Sequence, residues 1–137
     1  MDLELLKLLL DTSLFILIWM IQLVVYPSFL YFSEKDIKKW HIGYTSRITI
    51  IVLPLMLGQL LLYSRSVFVD LSICNVAMLA TVLSTWGITF FVSVPLHQDL
   101  DNLKDSLASR MKLVKTNWIR TALWTLILII NIFNYGK

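Results

Sequence analysis

Two histidines, His41 and His97, are the chain's only imidazoles, and two arginines, Arg47 and Arg120, each stand at the start of a long apolar run. Imidazole acts as a base, a proton shuttle or a ligand for iron, copper or zinc. Guanidinium holds oxyanions through a planar set of donors. Amides and a phenol accompany them. Gln22 and Tyr26 are four residues apart and Asn117 and Arg120 are three apart, so each pair shares one face of a helix. Polar groups of these kinds, gathered at one end of an apolar bundle, form a pocket for a hydrophobic small molecule. A second reading competes. Arginines, with Trp40, Tyr44 and Trp118, also make an ordinary interface belt, in which aromatic rings sit at headgroup level and arginine reaches for phosphate.

Bis-histidine haem needs both rings facing inward at one depth. The chain has no Glu-x-x-His or His-x-x-His spacing, and no cofactor or metal is favoured, although haem stays among the options. Cys74 is alone, which excludes a disulfide framework and a Cys-rich zinc site.

These residues need apolar elements to position them. Of 137 residues, 58% are hydrophobic and 15% charged, against about 25% charged in an ordinary soluble domain. A soluble protein of this size would lack the polar surface it needs. The net charge of +3 is not a solvated basic face of the kind that binds nucleic acid. Uncharged stretches run over residues 12–33, 48–64, 71–96 and 121–136. About 20 apolar residues cross a bilayer core of roughly 30 Å. We therefore expect an all-α, polytopic membrane protein: one four-helix transmembrane domain with spans near 12–32, 42–64, 71–95 and 116–135. The acidic start, Asp2, Glu4 and Asp11 against Lys7, reads as a retained anchor rather than a cleaved signal. The spans so drawn hold no Asp, Glu or Lys, which argues against a carboxylate-driven antiporter of the small multidrug resistance type.

Lysine and arginine set the orientation. The side with both termini and the 64–70 loop carries Lys7, Arg65 and Lys137, while the 33–47 and 95–120 connections carry the other nine. The connections are expected in the cytoplasm and the termini outside. This puts Gln22, Tyr26, His41, Arg47, His97, Asn117 and Arg120 in the cytoplasmic half.

Ser33-Glu34-Lys35-Asp36 is a capping-box pattern, and Ile37, Trp40, Tyr44 and Ile48 follow at helical spacing. One helix is expected from about Glu34 to Tyr63. Leu100, Leu103, Leu107, Met111, Val114 and Trp118 predict another from about Leu100 to Asn134. Helices 2 and 4 would then extend beyond the bilayer on the cytoplasmic side. A weak repeat relates Trp19, Pro27 and Arg47 to Trp86, Pro95 and Arg120.

Val94-Pro95-Leu96-His97-x-x-Leu100, with Asn117-Trp118-Ile119-Arg120-Thr121 and the Tyr26-Pro27 exit of the first span, resembles the anthrone oxygenase-like family of small four-span membrane proteins. About a dozen positions carry the likeness. It implies oxidation of polycyclic anthrones by molecular oxygen, apparently without metal or flavin. It also implies roles for Asn117 and Arg120 as the conspicuous polar pair, with Arg120 stabilising a phenolate or enolate. His97 stands where the family more usually has Asn, and acts there as a base or replaces the Asn hydrogen bond.

Three functions follow. The first is a cytoplasmic-side pocket for an aromatic or quinone-like molecule, with His97 and Arg120 as catalytic residues and Gln22, Tyr26, His41, Arg47 and Asn117 binding the ligand. The second is a non-enzymatic accessory or scaffold subunit of a larger membrane complex, or a homo-oligomer. The third, a small transporter, is the weakest. The orientation itself is testable. With Cys74 replaced by alanine, cysteine at Lys39 or Lys112 should be shielded from an impermeant thiol reagent in intact cells, and cysteine at Ser66 should be labelled. The reverse pattern would invert the topology.

Overall fold

The computed structural model describes residues 2–136 apart from 103 and 105. Among them there is no strand. Four rods make the fold: α1 (Leu3–Tyr31), α2 (Glu34–Val69), α3 (Ile73–Asp101) and α4 (Ser106–Asn134). All four are long and apolar enough to cross a membrane, as in a multi-pass membrane protein. Each packs on its sequence neighbours and α1 also packs on α4, closing a sequential bundle.

Local chemistry sets the ends. The Ser33 hydroxyl accepts from the Asp36 backbone N–H and donates to the Asp36 carboxylate, forming the cap of α2. Between α2 and α3, Asn75 donates to the Asp70 carbonyl and Ser72 accepts the Asn75 N–H.

Both odd-numbered rods contain a π-helical stretch just before the Tyr-Pro or Val-Pro step, Ile21–Val25 in α1 and Thr89–Ser93 in α3. There the Tyr26 N–H reaches the Ile21 carbonyl and the Val94 N–H that of Thr89, an i to i−5 pattern. Proline supplies no N–H and its ring crowds the preceding turn, so the widened turn precedes it. This shared device gives the weak repeat a structural counterpart. The repeat fails at its arginines, since Arg120 is buried and Arg47 exposed.

The helix bounds correct two expectations. α2 is longer than expected, continuous to Val69 and about 54 Å at 1.5 Å per residue. α4 begins at Ser106, not Leu100. Leu100 is buried at the end of α3, and Leu103 lies outside the described residues. Residues 96–101 are therefore rod and not connection. The stripe used to predict α4 also points outward. Leu107, Met111 and Trp118 are about half exposed, whereas Ser109, Arg110, Asn117, Arg120, Thr121 and Asn131 are buried. In an apolar surrounding a polar side chain must find its partner inside the protein.

Asp11 is the other correction. α1 starts nine residues before Thr12, so this carboxylate is drawn into the rod and is 1% exposed. Gln59 Nε2, Tyr63 Oη and Asn131 Nδ2 each donate to it at 2.7 Å. Trp124 Nε1 donates to Gln59 Oε1 at 3.2 Å. One carboxylate thus ties α1 to α2 and α4, from a position just before the span drawn at 12–32. Asp11→Leu leaves three buried donors without an acceptor. It should lower stability by about 2–4 kcal/mol, measured as a drop in Tm of the detergent-purified protein, with Asp11→Asn losing less. An unchanged Tm would mean that Asp11 does not hold the helices together.

Candidate functional site

At the end of the bundle where α1 turns into α2 and α3 into α4, all four rods contribute polar groups. The π turn of α1 brings Gln22 and Tyr26 to the core, where they are about 2% exposed. Gln22 Oε1 accepts from Asn117 Nδ2 at 2.9 Å, and Gln22 Nε2 donates to the Val114 carbonyl at 3.2 Å. Asn117 Oδ1 accepts from Arg120 Nη1 at 3.3 Å, and Ser93 Oγ accepts from the same nitrogen at 3.2 Å. The guanidinium lies over the Trp124 ring, 5.1 Å from its centroid, a cation–π contact.

A second chain runs beside the first. Tyr26 Oη is 2.9 Å from His97 Nε2, His97 Nδ1 is 2.6 Å from His41 Nε2, and His41 Nδ1 is 2.6 Å from Asp101 Oδ1. All four ring nitrogens are engaged, so metal ligation by either histidine would displace one of these bonds. Phe29 packs edge-on against His41, and the imidazoles stack with centroids 4.9 Å apart. His41 is fully buried, whereas the Asp101 side chain is a third exposed.

A cavity of about 330 Å³ joins the two chains. Tyr26, His97, Asp101, Ser93 and Arg120 line its polar wall, and Ile48, Val52, Met56, Trp86 and Phe90 its apolar wall. Thr49, Leu53 and Phe90 line it and are also exposed on the outside, so it opens between α2 and α3. Among the described residues three buried side-chain donors have no partner: Arg120 Nε and Trp86 Nε1, on residues lining the cavity, and Arg110 Nε, away from it. Arg120 is 5% exposed and has no carboxylate partner among the described residues.

Of the residues singled out from sequence, Tyr26, His97 and Arg120 line the cavity. His41, Gln22 and Asn117 stand behind them as hydrogen-bond partners. Arg47 is not brought in. It is exposed and lines an outer groove on α2 with Asp36, Lys39 and Trp40.

Three polar residues escaped the sequence reading: Asp101, Ser93 and Arg110. Arg110 Nη1 donates to the Phe29 and Phe32 carbonyls at 3.1 and 2.8 Å, and Nη2 to Ser106 Oγ at 2.6 Å. A buried cation thus closes the C-terminal end of α1, where carbonyls lack intrahelical partners. The only signal for it was its step of seven and ten residues before Asn117 and Arg120 on one face.

No family model, curated protein or solved structure matches this chain.

Arg110→Ala should speed amide hydrogen exchange over residues 29–36 and leave residues 121–131 unchanged. Uniform acceleration across the chain would mean that Arg110 supports the whole bundle rather than one helix end.

Proposed function

We propose that the chain is a multi-pass membrane protein that binds a hydrophobic, quinone-like aromatic molecule in the cavity between α2 and α3, at the cytoplasmic end of the bundle. One observation carries this reading. Two buried N–H donors, on Arg120 and Trp86, belong to residues lining an otherwise largely apolar cavity and have no acceptor among the described residues. A buried donor without an acceptor is costly, and a buried guanidinium without an anion more so. A planar molecule carrying carbonyl or phenolate oxygens supplies both acceptors, and the aromatic and aliphatic walls supply the rest. The opening between α2 and α3 admits such a molecule from the lipid.

The reaction we propose there is that of the anthrone oxygenase-like family. An anthrone gives up a proton from its CH₂ carbon or tautomeric hydroxyl, and the resulting anion reacts with molecular oxygen. One oxygen atom becomes the new carbonyl of the anthraquinone and the other leaves as water. Arg120 holds the negative oxygen of the anion, and His97, whose Nε2 is 2.9 Å from Tyr26 Oη, is the base on the cavity wall.

The test uses purified protein, a naphthoquinone and an anthrone. Naphthoquinone should quench tryptophan fluorescence saturably, with Trp86 and Trp124 as reporters. Arg120→Leu should abolish the saturable quenching while the melting transition persists, and should stop conversion of the anthrone. Non-saturable quenching in the wild type, with co-purification at fixed stoichiometry with a larger complex, would overturn the pocket in favour of an accessory subunit.

A further inference from the structure

We infer that Tyr26, His97, His41 and Asp101 form a proton wire that carries the ligand's proton from the cavity to the aqueous phase at the connection end of the bundle. The inference rests on the reading of the cavity as a ligand site and assigns that site its proton exit.

The geometry gives the wire a direction. Asp101 as a carboxylate only accepts, so His41 donates to it from Nδ1 across 2.6 Å. A neutral His41 then accepts at Nε2, and the donor 2.6 Å away is His97 Nδ1–H. His97 in turn accepts at Nε2, from the Tyr26 hydroxyl at 2.9 Å. Every link has one donor and one acceptor, and all point the same way. Tyr26, at the start, is buried on the cavity wall; His97 and Asp101 also line the cavity, and Asp101, at the end, has a side chain one-third exposed. Between His97 and Asp101, His41 is fully buried, with Phe29 packed against its ring. Water does not reach His41, so on the links through it the side chains carry the proton.

Among the described residues, the titratable and charged groups facing the histidine pair are Tyr26 from α1, Tyr44 from α2, Asp101 from α3 and, across the cavity, Arg120 from α4.

The step balances without an oxidant. As a ligand hydroxyl breaks its O–H bond to the Tyr26 oxygen, Tyr26 passes its own proton to His97 Nε2. His97 passes the Nδ1 proton to His41 Nε2, and His41 passes its Nδ1 proton to Asp101, which releases it to water. The ligand stays behind as an oxyanion beside Arg120. Both imidazoles are left in the opposite tautomer and reset before the next turnover. An apolar cavity that ionises its ligand needs such an exit, because a proton left beside the anion would recombine with it.

The experiment has two arms. In the first, 1-naphthol is mixed with the detergent-purified protein in weak buffer containing a pH indicator. Tryptophan quenching reports binding, and the indicator reports proton release. His41→Phe, behind the cavity wall, should bind naphthol nearly as the wild type does but release the proton about a hundredfold more slowly, and Asp101→Asn should slow release to a similar degree once naphthol is saturating. Imidazole added to a His41→Gly variant should restore part of the rate. Proton release at the wild-type rate in all three variants would overturn the wire. Absence of saturable naphthol binding to the wild type would instead sink the ligand site.

The second arm needs no ligand. Nitrogen-15 NMR of histidine-labelled protein should find both imidazoles neutral, protonated at Nδ1 and accepting at Nε2. A proton on Nε2 of His97, or a doubly protonated His41, would break the donor order and overturn the wire whatever the first arm showed.

Discussion

Asp11 accepts three hydrogen bonds from two other helices, and the requirement it meets recurs through the whole bundle. The outer surface exposes large apolar side chains such as Ile50, Leu61, Phe91 and Phe133, as a lipid-facing surface does, and in lipid burying hydrocarbon between the rods contributes less to their association than it would in water. A polar group taken out of water without a partner costs several kcal/mol. The arrangement that brings every such group to its partner is therefore favoured over others that bury the same apolar area. Asp11 with Gln59, Tyr63 and Asn131 fixes one end, and Gln22 with Asn117 and Arg120 fixes the other. Trp124 joins them, donating to Gln59 and lying beneath the Arg120 guanidinium.

Against that background the cavity is an exception. The same bundle that satisfies Asp11 three times leaves Arg120 Nε and Trp86 Nε1 without partners beside open space. Local rules are broken where function needs an unmet group held ready. The π turns belong to the same economy of structure. Each precedes a proline step and re-aims the rod, and the residues that follow, Tyr26 and His97, meet at 2.9 Å. π turns inside helices concentrate at functional sites for this reason.

Arg110 and Arg120 show how alike two buried cations can look and how differently they act. Arg110 spends both Nη groups on carbonyls at the end of α1 and on Ser106, with its Nε unpartnered among the described residues but away from the cavity, so its role is structural. Arg120 makes only side-chain bonds through one nitrogen and turns the rest of its guanidinium toward Trp124 and the cavity lining. Arg47, the residue that the internal repeat pairs with Arg120, is exposed, as an interface arginine would be.

The sequence by itself determined the four apolar rods, the cap at Ser33 and the pairing of Gln22 with Tyr26 and Asn117 with Arg120 on shared faces. Those follow from composition, periodicity and helical spacing, which act within one segment. Tertiary structure alone decided which face of α4 turns inward, because an apolar stripe marks the outside of a bundle in lipid and the inside of one in water. It alone drew Asp11 into the core, since a charge near the end of an apolar run reads as a boundary until the partners that satisfy it are known. It alone separated Arg110 and Arg120 from Arg47, and placed Asp101 behind His41, 60 residues away in the chain. A hydrogen bond needs two groups within about 3 Å, and no spacing along the chain predicts that distance across helices.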